Sequence, residues 1–129
     1  MSEKIIKNWI SLAKYDLETA EAMLNAGRYL YVAFMCQQAI EKILKACYVK
    51  EFNDTPPYTH NLLRLAKELS FFSKIGSDKL EHVEVLNAYY IESRYTEELG
   101  ELVAVLTEEK AREILDSTKG LFEWLKYQI

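Results

Sequence analysis

From Ile6 onward the apolar residues Ile6, Trp9, Ile10, Ala13, Leu17, Ala20 and Leu24 recur at steps of three and four, the period of one helix face. Gly27 follows where a left-handed C-terminal cap would stand, so the pattern predicts a first helix over about residues 3–26. A second run from Tyr29 to about Phe52 meets Asn53-Asp54-Thr55-Pro56-Pro57, whose prolines remove backbone donors and force an extended path. Thr59 offers a hydroxyl cap to a third helix, with Leu62, Leu63, Leu65, Ala66 and Leu69 as its buried stripe and an expected end near Phe72. Gly76-Ser77-Asp78 marks the next start, and Leu80, Val83, Leu86 and Tyr90 carry a fourth helix to about Tyr95. Gly100 weakens any helix through residues 96–106, and Leu102-Val103-Ala104-Val105-Leu106 suits a strand, a helix or a packed loop, so an irregular connection is expected there. Thr107 followed by Glu108 and Glu109 puts a hydroxyl cap and two carboxylates at the positive end of a last helix, which runs through Ala111, Ile114, Leu115, Leu121, Phe122 and Leu125.

Two long helices joined by almost no loop must pack as an antiparallel hairpin, with the other helices covering its sides. The expected fold is all-α, an up-and-down antiparallel bundle of four to five helices. At 129 residues the chain suits one domain, 1–129, with one core. Half the residues are apolar, and four glycines and two prolines are too few for the many tight turns of a sandwich or barrel. The net charge of −4 argues against a broad cationic coat for nucleic acid, although a local basic cleft is compatible with it. Cys36 and Cys47 stand eleven residues apart within one expected helix and cannot bridge each other; with no metal-ligand spacing elsewhere, they read as small buried hydrophobes in a reducing compartment. No cofactor or metal is expected. Met1-Ser2-Glu3-Lys4 leads into no apolar export segment and no stretch has the length of a membrane span, so the expectation is a cytoplasmic protein without a membrane partner.

The candidate chemistry begins on the second helix. Gln38, Glu41, Lys42 and Lys45 stand at i, i+3, i+4 and i+7, so an amide, a carboxylate and two ammonium groups share one stripe. Such a stripe is either a solvated face held by local ion pairs or one wall of a polar cleft. Tyr89, Tyr90 and Tyr95 surround Arg94 near a helix end, a place that can stack a base and fork onto a phosphate. Tyrosines in a bundle also serve as core residues with a hydroxyl at the surface. His60, next to Thr59, suits a first-turn residue bonding nearby backbone, or a functional imidazole.

Taken in order, these segments resemble the HEPN family. The resemblance rests on Trp9 with Ala13-Lys14-Tyr15-Asp16-Leu17, and then on Ala33-Phe34-Met35-Cys36-Gln37-Gln38-Ala39-Ile40-Glu41-Lys42-Ile43-Leu44-Lys45-Ala46. It continues with Thr59-His60-Asn61-Leu62-Leu63-Arg64-Leu65, with Ser93-Arg94-Tyr95 and with Thr107-Glu108-Glu109-Lys110-Ala111, covering about residues 5–125. The resemblance implies a HEPN-like helical domain that commonly dimerises, with a polar cleft between the ends of the second and fourth helices associated with nucleotide or RNA. Many members are metal-independent endoribonucleases, several of them toxins beside a nucleotidyltransferase-fold antitoxin, and their motif is an arginine followed after four to six residues by a histidine. With Arg94 as that arginine, the histidine would fall at 99, 100 or 101, which hold Leu99, Gly100 and Glu101.

Metal-free cleavage needs a group that exchanges a proton near neutral pH, and arginine cannot replace imidazole in that role. His82 precedes Arg94 by twelve residues, about 18 Å along a helix. The expectation is therefore a non-enzymatic module with no catalytic residue. Its homodimer would offer Gln38, Glu41, Lys42, Lys45, His60, Arg94 and Tyr95 to a nucleotide or RNA phosphate and would suit pairing with a nucleotidyltransferase-fold protein in a toxin–antitoxin-like system. The alternatives are a ribonuclease toxin whose proton shuttle is His60 or His82 across a dimer interface, and a purely structural partner protein.

Overall fold

A computed structural model describes residues 2–90 and 95–129. Its first two helices, α1 (Ser2–Asn25) and α2 (Tyr29–Phe52), follow the sequence pattern within a residue or two. The turn between them is a Schellman motif: Gly27 takes φ +75°, its N–H donates to the Leu24 carbonyl at 3.1 Å, and the Arg28 N–H reaches the Met23 carbonyl at 2.8 Å. The chain is thereby folded back on itself, and α1 packs along α2 as an antiparallel hairpin. α2 ends on Asn53, whose left-handed backbone (φ 51°) directs the chain into the proline segment.

The remaining helices are α3 (Leu62–Lys67), α4 (Ser77–Asn87), α5 (Thr96–Val105) and α6 (Glu108–Tyr127), with a 3-10 turn at Phe72–Lys74. α2 is the axis of the bundle, touching each of the other five helices. Its buried residues lie on every side, from Val32 and Cys36 to Ile40, Ile43, Leu44 and Val49, as expected of a helix wrapped by others. α6 seals the hairpin with Ile114, Leu115, Leu121, Phe122 and Leu125, all buried, after a cap in which Thr107 Oγ1 accepts from the Lys110 N–H. The fold is all-α and bundle-like, as the pattern predicts. Cys36 and Cys47 are free and buried. Among the described residues no helix is long and apolar enough to cross a membrane.

Four local expectations are corrected. The third helix is capped by Asn61, whose side chain accepts from the Arg64 N–H, and not by Thr59, whose hydroxyl accepts from the Asn61 N–H. It stops at Lys67 rather than near Phe72, because the Ser70 N–H is taken by the Glu51 carboxylate of α2 (3.0 and 3.2 Å) while neighbouring bonds tighten to the i+3 pattern. The fourth helix closes at Asn87 with i+3 bonds from Ala88 and Tyr89, short of the expected Tyr95. Most of the segment expected to be irregular is the helix α5, with Glu97 and Glu98 in its positive first turn and Gly100 at an ordinary helical position. No residue of α5 is buried, so it rides on the surface.

Candidate functional site

The Gln38–Glu41–Lys42–Lys45 stripe lies in the seam where α2 meets α1 and the loop before α3, with Gln38 and Lys42 partly exposed at its edge. Glu41 and Lys45 are buried, at 5% and 7% exposure, which corrects the picture of a solvated face. Asp16 of α1 enters the seam opposite Lys42, with Oδ2 at 2.5 Å from Nζ. Lys42 also lies 3.4 Å from Gln38 Oε1, and Gln38 Nε2 donates to Gln37 Oε1 at 2.7 Å. Gln37, wholly buried, donates to the His60 carbonyl at 3.1 Å and to Glu41 Oε1 at 3.4 Å. The Glu41 carboxylate closes the network with Lys45 at 3.1 Å and His60 Nδ1 at 2.9 Å. The seam is thus one continuous chain of hydrogen bonds running from Asp16 to His60 and Lys45.

A second device fixes the imidazole. Asn87 Oδ1 accepts from the Leu62 N–H at 2.7 Å and its Nδ2 donates to Asn61 Oδ1 at 3.0 Å, clasping the end of α4 to the start of α3. His60 precedes that clasp and Tyr90 follows it, and their rings stack with centroids 4.1 Å apart and planes 12° from parallel. Tyr58 meets the imidazole edge-on at 5.8 Å. Since the Glu41 carboxylate accepts, Nδ1 carries the proton in that bond. His60 is therefore not a first-turn residue satisfied by nearby backbone.

Electrostatically the seam is closely balanced. Burial holds the Asp16 carboxyl above its usual range, with the Lys42 ammonium pulling the other way. Lys45 Nζ sits 5.6 Å from the centroid of Trp9, a cation–π contact that places an indole beside the ion pairs. Each ammonium has three donors, and neither spends all of them on acceptors among the described residues. Lys42 and His60 form the accessible rim, with side chains 19% and 33% exposed.

Of the residues expected to form the site, Gln38, Glu41, Lys42, Lys45 and His60 come together. Arg94 lies outside the described residues, and Tyr95 stands 79% exposed at the start of α5. Glu41 is engaged by Lys45 and His60. His82 takes no part in the seam: it points from α4 to Thr118 of α6, with Nε2 at 2.8 Å from Oγ1, and burial pushes its pKa down to about 4. Sequence reasoning did not single out Asp16 or Gln37 as site residues. Their signal was a polar residue set into an apolar helix face, Asp16 between Ala13 and Ala20 and Gln37 beside Ala33 and Ile40. Among the described residues no group of three or more His, Cys, Asp or Glu side chains could hold a metal ion.

A helical bundle built on one long hairpin, with a hydrogen-bonded ionic seam inside that hairpin, defines the class of protein. The HEPN domain model matches residues 6–128, nearly the whole chain, and the chain belongs to the HEPN domain family. Two solved structures share the fold closely. TT1696 from Thermus thermophilus is 25% identical with a TM-score of 0.81, over 96% of this chain and 98% of that one. ST0689, an archaeal HEPN homologue, is 26% identical with a TM-score of 0.74, over 95% of this chain and 96% of that one. No functionally curated protein matched.

Proposed function

We propose that this chain is a non-enzymatic HEPN module that binds the phosphate of a nucleotide or of RNA at the rim of its ionic seam. The observation that supports this most is a half-buried ladder of Asp16, Lys42, Gln38, Glu41, Lys45 and His60 whose cations keep N–H donors beyond those that the described residues use. Buried ion pairs contribute little net stability compared with well-packed apolar residues, so packing alone is a poor reason to keep five charged or ionisable groups in one seam. Their carboxylates hold Lys42, Lys45 and His60 in fixed positions, and a phosphate oxygen meeting Lys42 at the rim would accept a charge-assisted hydrogen bond from its ammonium. Arg94, which follows Tyr90 by four residues, is the candidate fork for a second pair of oxygens.

The test is a thermal-shift titration with AMP, ATP, GTP and a short single-stranded RNA. A ligand present at 100 times its Kd stabilises the fold by about 2.7 kcal/mol, a shift of several degrees. Lys42→Gln should abolish most of the shift. Absence of any shift at millimolar ligand would overturn the reading. The reading includes a homodimer, supported by Ile5, Leu12 and Tyr15, which stand 44%, 49% and 69% exposed along α1. Light scattering should give twice the 15.1 kDa chain mass, and a monomer across the micromolar range would remove the dimer.

A further inference from the structure

A pocket of about 410 Å³ opens where α1 begins and α2 ends, at the end of the hairpin opposite the Gly27 turn. Ser2, Ile5 and Trp9 stand on α1 at i, i+3 and i+7, one face of the helix, and Val49 and Asn53 stand at i and i+4 where α2 closes. Asp54, Thr55 and Pro56 complete the rim. Lys42 and Lys45 do not line it, so it is a separate place from the ionic seam. Its walls are tied together: the Ser2 hydroxyl donates to Asn53 Oδ1, and the Asn53 N–H donates to the Val49 carbonyl at 2.8 Å from a left-handed backbone. Pro56 stiffens the chain that follows. A cavity held in this way needs little ordering to be filled, and its size falls within the roughly 300–1,000 Å³ of small-molecule sites. Ile5, 44% exposed, leaves apolar surface bare at the mouth.

We infer that this pocket binds a small aromatic amine, with its ammonium on Asp54 and its ring against Trp9. The inference goes beyond the phosphate reading and does not depend on it. Charge selects the ammonium. Asp54 is the one formally charged residue that lines the pocket, and no cation among the described residues pairs with it. Its Oδ1 accepts from the Thr55 N–H at 2.8 Å, which leaves Oδ2 to accept from a ligand, and the Thr55 hydroxyl is a second acceptor on the same rim. An unpaired carboxylate repels phosphates and carboxylic acids, so the pocket selects against the anions that the seam would attract. The walls select the ring. Ile5, Val49 and Pro56 present apolar surface beside the indole, on which an aromatic ring packs offset or edge-on. Lys45 Nζ already lies 5.6 Å from the centroid of that indole. A second cation on the same ring would meet like charge, so the ligand's uncharged body belongs at Trp9 and its ammonium at Asp54.

The chain holds two tryptophans, so Trp124→Phe leaves Trp9 as the sole indole reporter. Titration of that variant with 2-phenylethylamine should change its emission saturably. The neutral isostere 2-phenylethanol should bind about tenfold more weakly, the loss of one charge-assisted hydrogen bond. Asp54→Asn, read in the same background, keeps the oxygen that accepts from the Thr55 N–H but loses the charge; amine and alcohol should then bind alike. Ile5→Phe fills the exposed mouth and should weaken both ligands about tenfold, with circular dichroism confirming that each variant is folded. Nα-acetyl-lysine amide carries the same ammonium on the aliphatic stem of a peptide and should bind about tenfold more weakly than 2-phenylethylamine. No saturable change with the amine, or an amine preference that survives Asp54→Asn, would overturn the site. Equal affinity for amine and alcohol in the parent variant would overturn the role of Asp54, and unchanged binding in Ile5→Phe would place the ligand elsewhere. Equal binding of the lysine amide would overturn the aromatic ligand in favour of a lysine side chain.

Discussion

Replacing Glu41 with alanine removes the anion that Lys45 and His60 share. In the folded chain Lys45 Nζ lies 3.1 Å from Glu41 Oε2 with its side chain only 9% exposed, and His60 Nδ1 lies 2.9 Å from Oε1. Alanine leaves a buried ammonium compensated by the Trp9 ring at 5.6 Å, together with a stranded imidazole N–H. Breaking a buried pair in this way costs about 3–5 kcal/mol. For a chain of this length that corresponds to a fall of roughly 10–20 °C in melting temperature. The attribution to Lys45 is checked by a double-mutant cycle: Lys45→Met in the Glu41→Ala background removes the stranded charge, so the double variant should be more stable than Glu41→Ala alone by about 1–3 kcal/mol. Urea denaturation with a shared m-value is the assay. A loss under about 1 kcal/mol for Glu41→Ala, or strict additivity in the cycle, would refute the view that the seam is an interdependent network.

Two further outcomes concern other parts of the fold. His82 stays neutral in the folded state down to about pH 4, whereas its ordinary pKa is 6.5, so between those values the unfolded chain binds more protons. Its contribution is fully present above about pH 6.5 and is lost as pH falls towards 4; with a discount for partial exposure it amounts to about 2 kcal/mol. His82→Gln should flatten that part of a pH–stability curve, and an unchanged slope would contradict the assignment. Gly120 lies inside α6 with nothing within 4 Å of an added Cβ, so Gly120→Ala should raise stability by about 0.5–1 kcal/mol in urea, and a loss would contradict the open environment.

The hairpin was legible because its punctuation is local. Gly27 can take the positive φ that ends α1, and Pro56-Pro57 cannot continue α2, so both boundaries are written into neighbouring residues. The ends of α3 and α4 were overshot because apolar residues such as Phe71, Phe72 and Tyr90 keep the helical spacing after the backbone has left it. What stops α3 is Glu51, nineteen positions away from Ser70 in the chain. α5 was hidden by Gly100 and its valines, whose intrinsic penalty of about 1 kcal/mol or less each is offset in part by the acidic first turn of Glu97 and Glu98. The site was half legible for a related reason. Period 3.6 places Gln38, Glu41, Lys42 and Lys45 on one stripe, but nothing local says that Asp16 and His60 will cover it. The burial of those charges is a property of the assembled bundle.

On the proposed reading, phosphate capture at the rim of the seam depends on Lys42. Isothermal calorimetry of AMP into the wild-type chain and into Lys42→Gln, with circular dichroism to establish that the variant remains folded, tests that dependence. Losing a charge-assisted hydrogen bond of about 1.5–3 kcal/mol should weaken binding by ten- to a hundred-fold. Equal affinities for the two proteins, or no heat from the wild type at millimolar AMP, would contradict it.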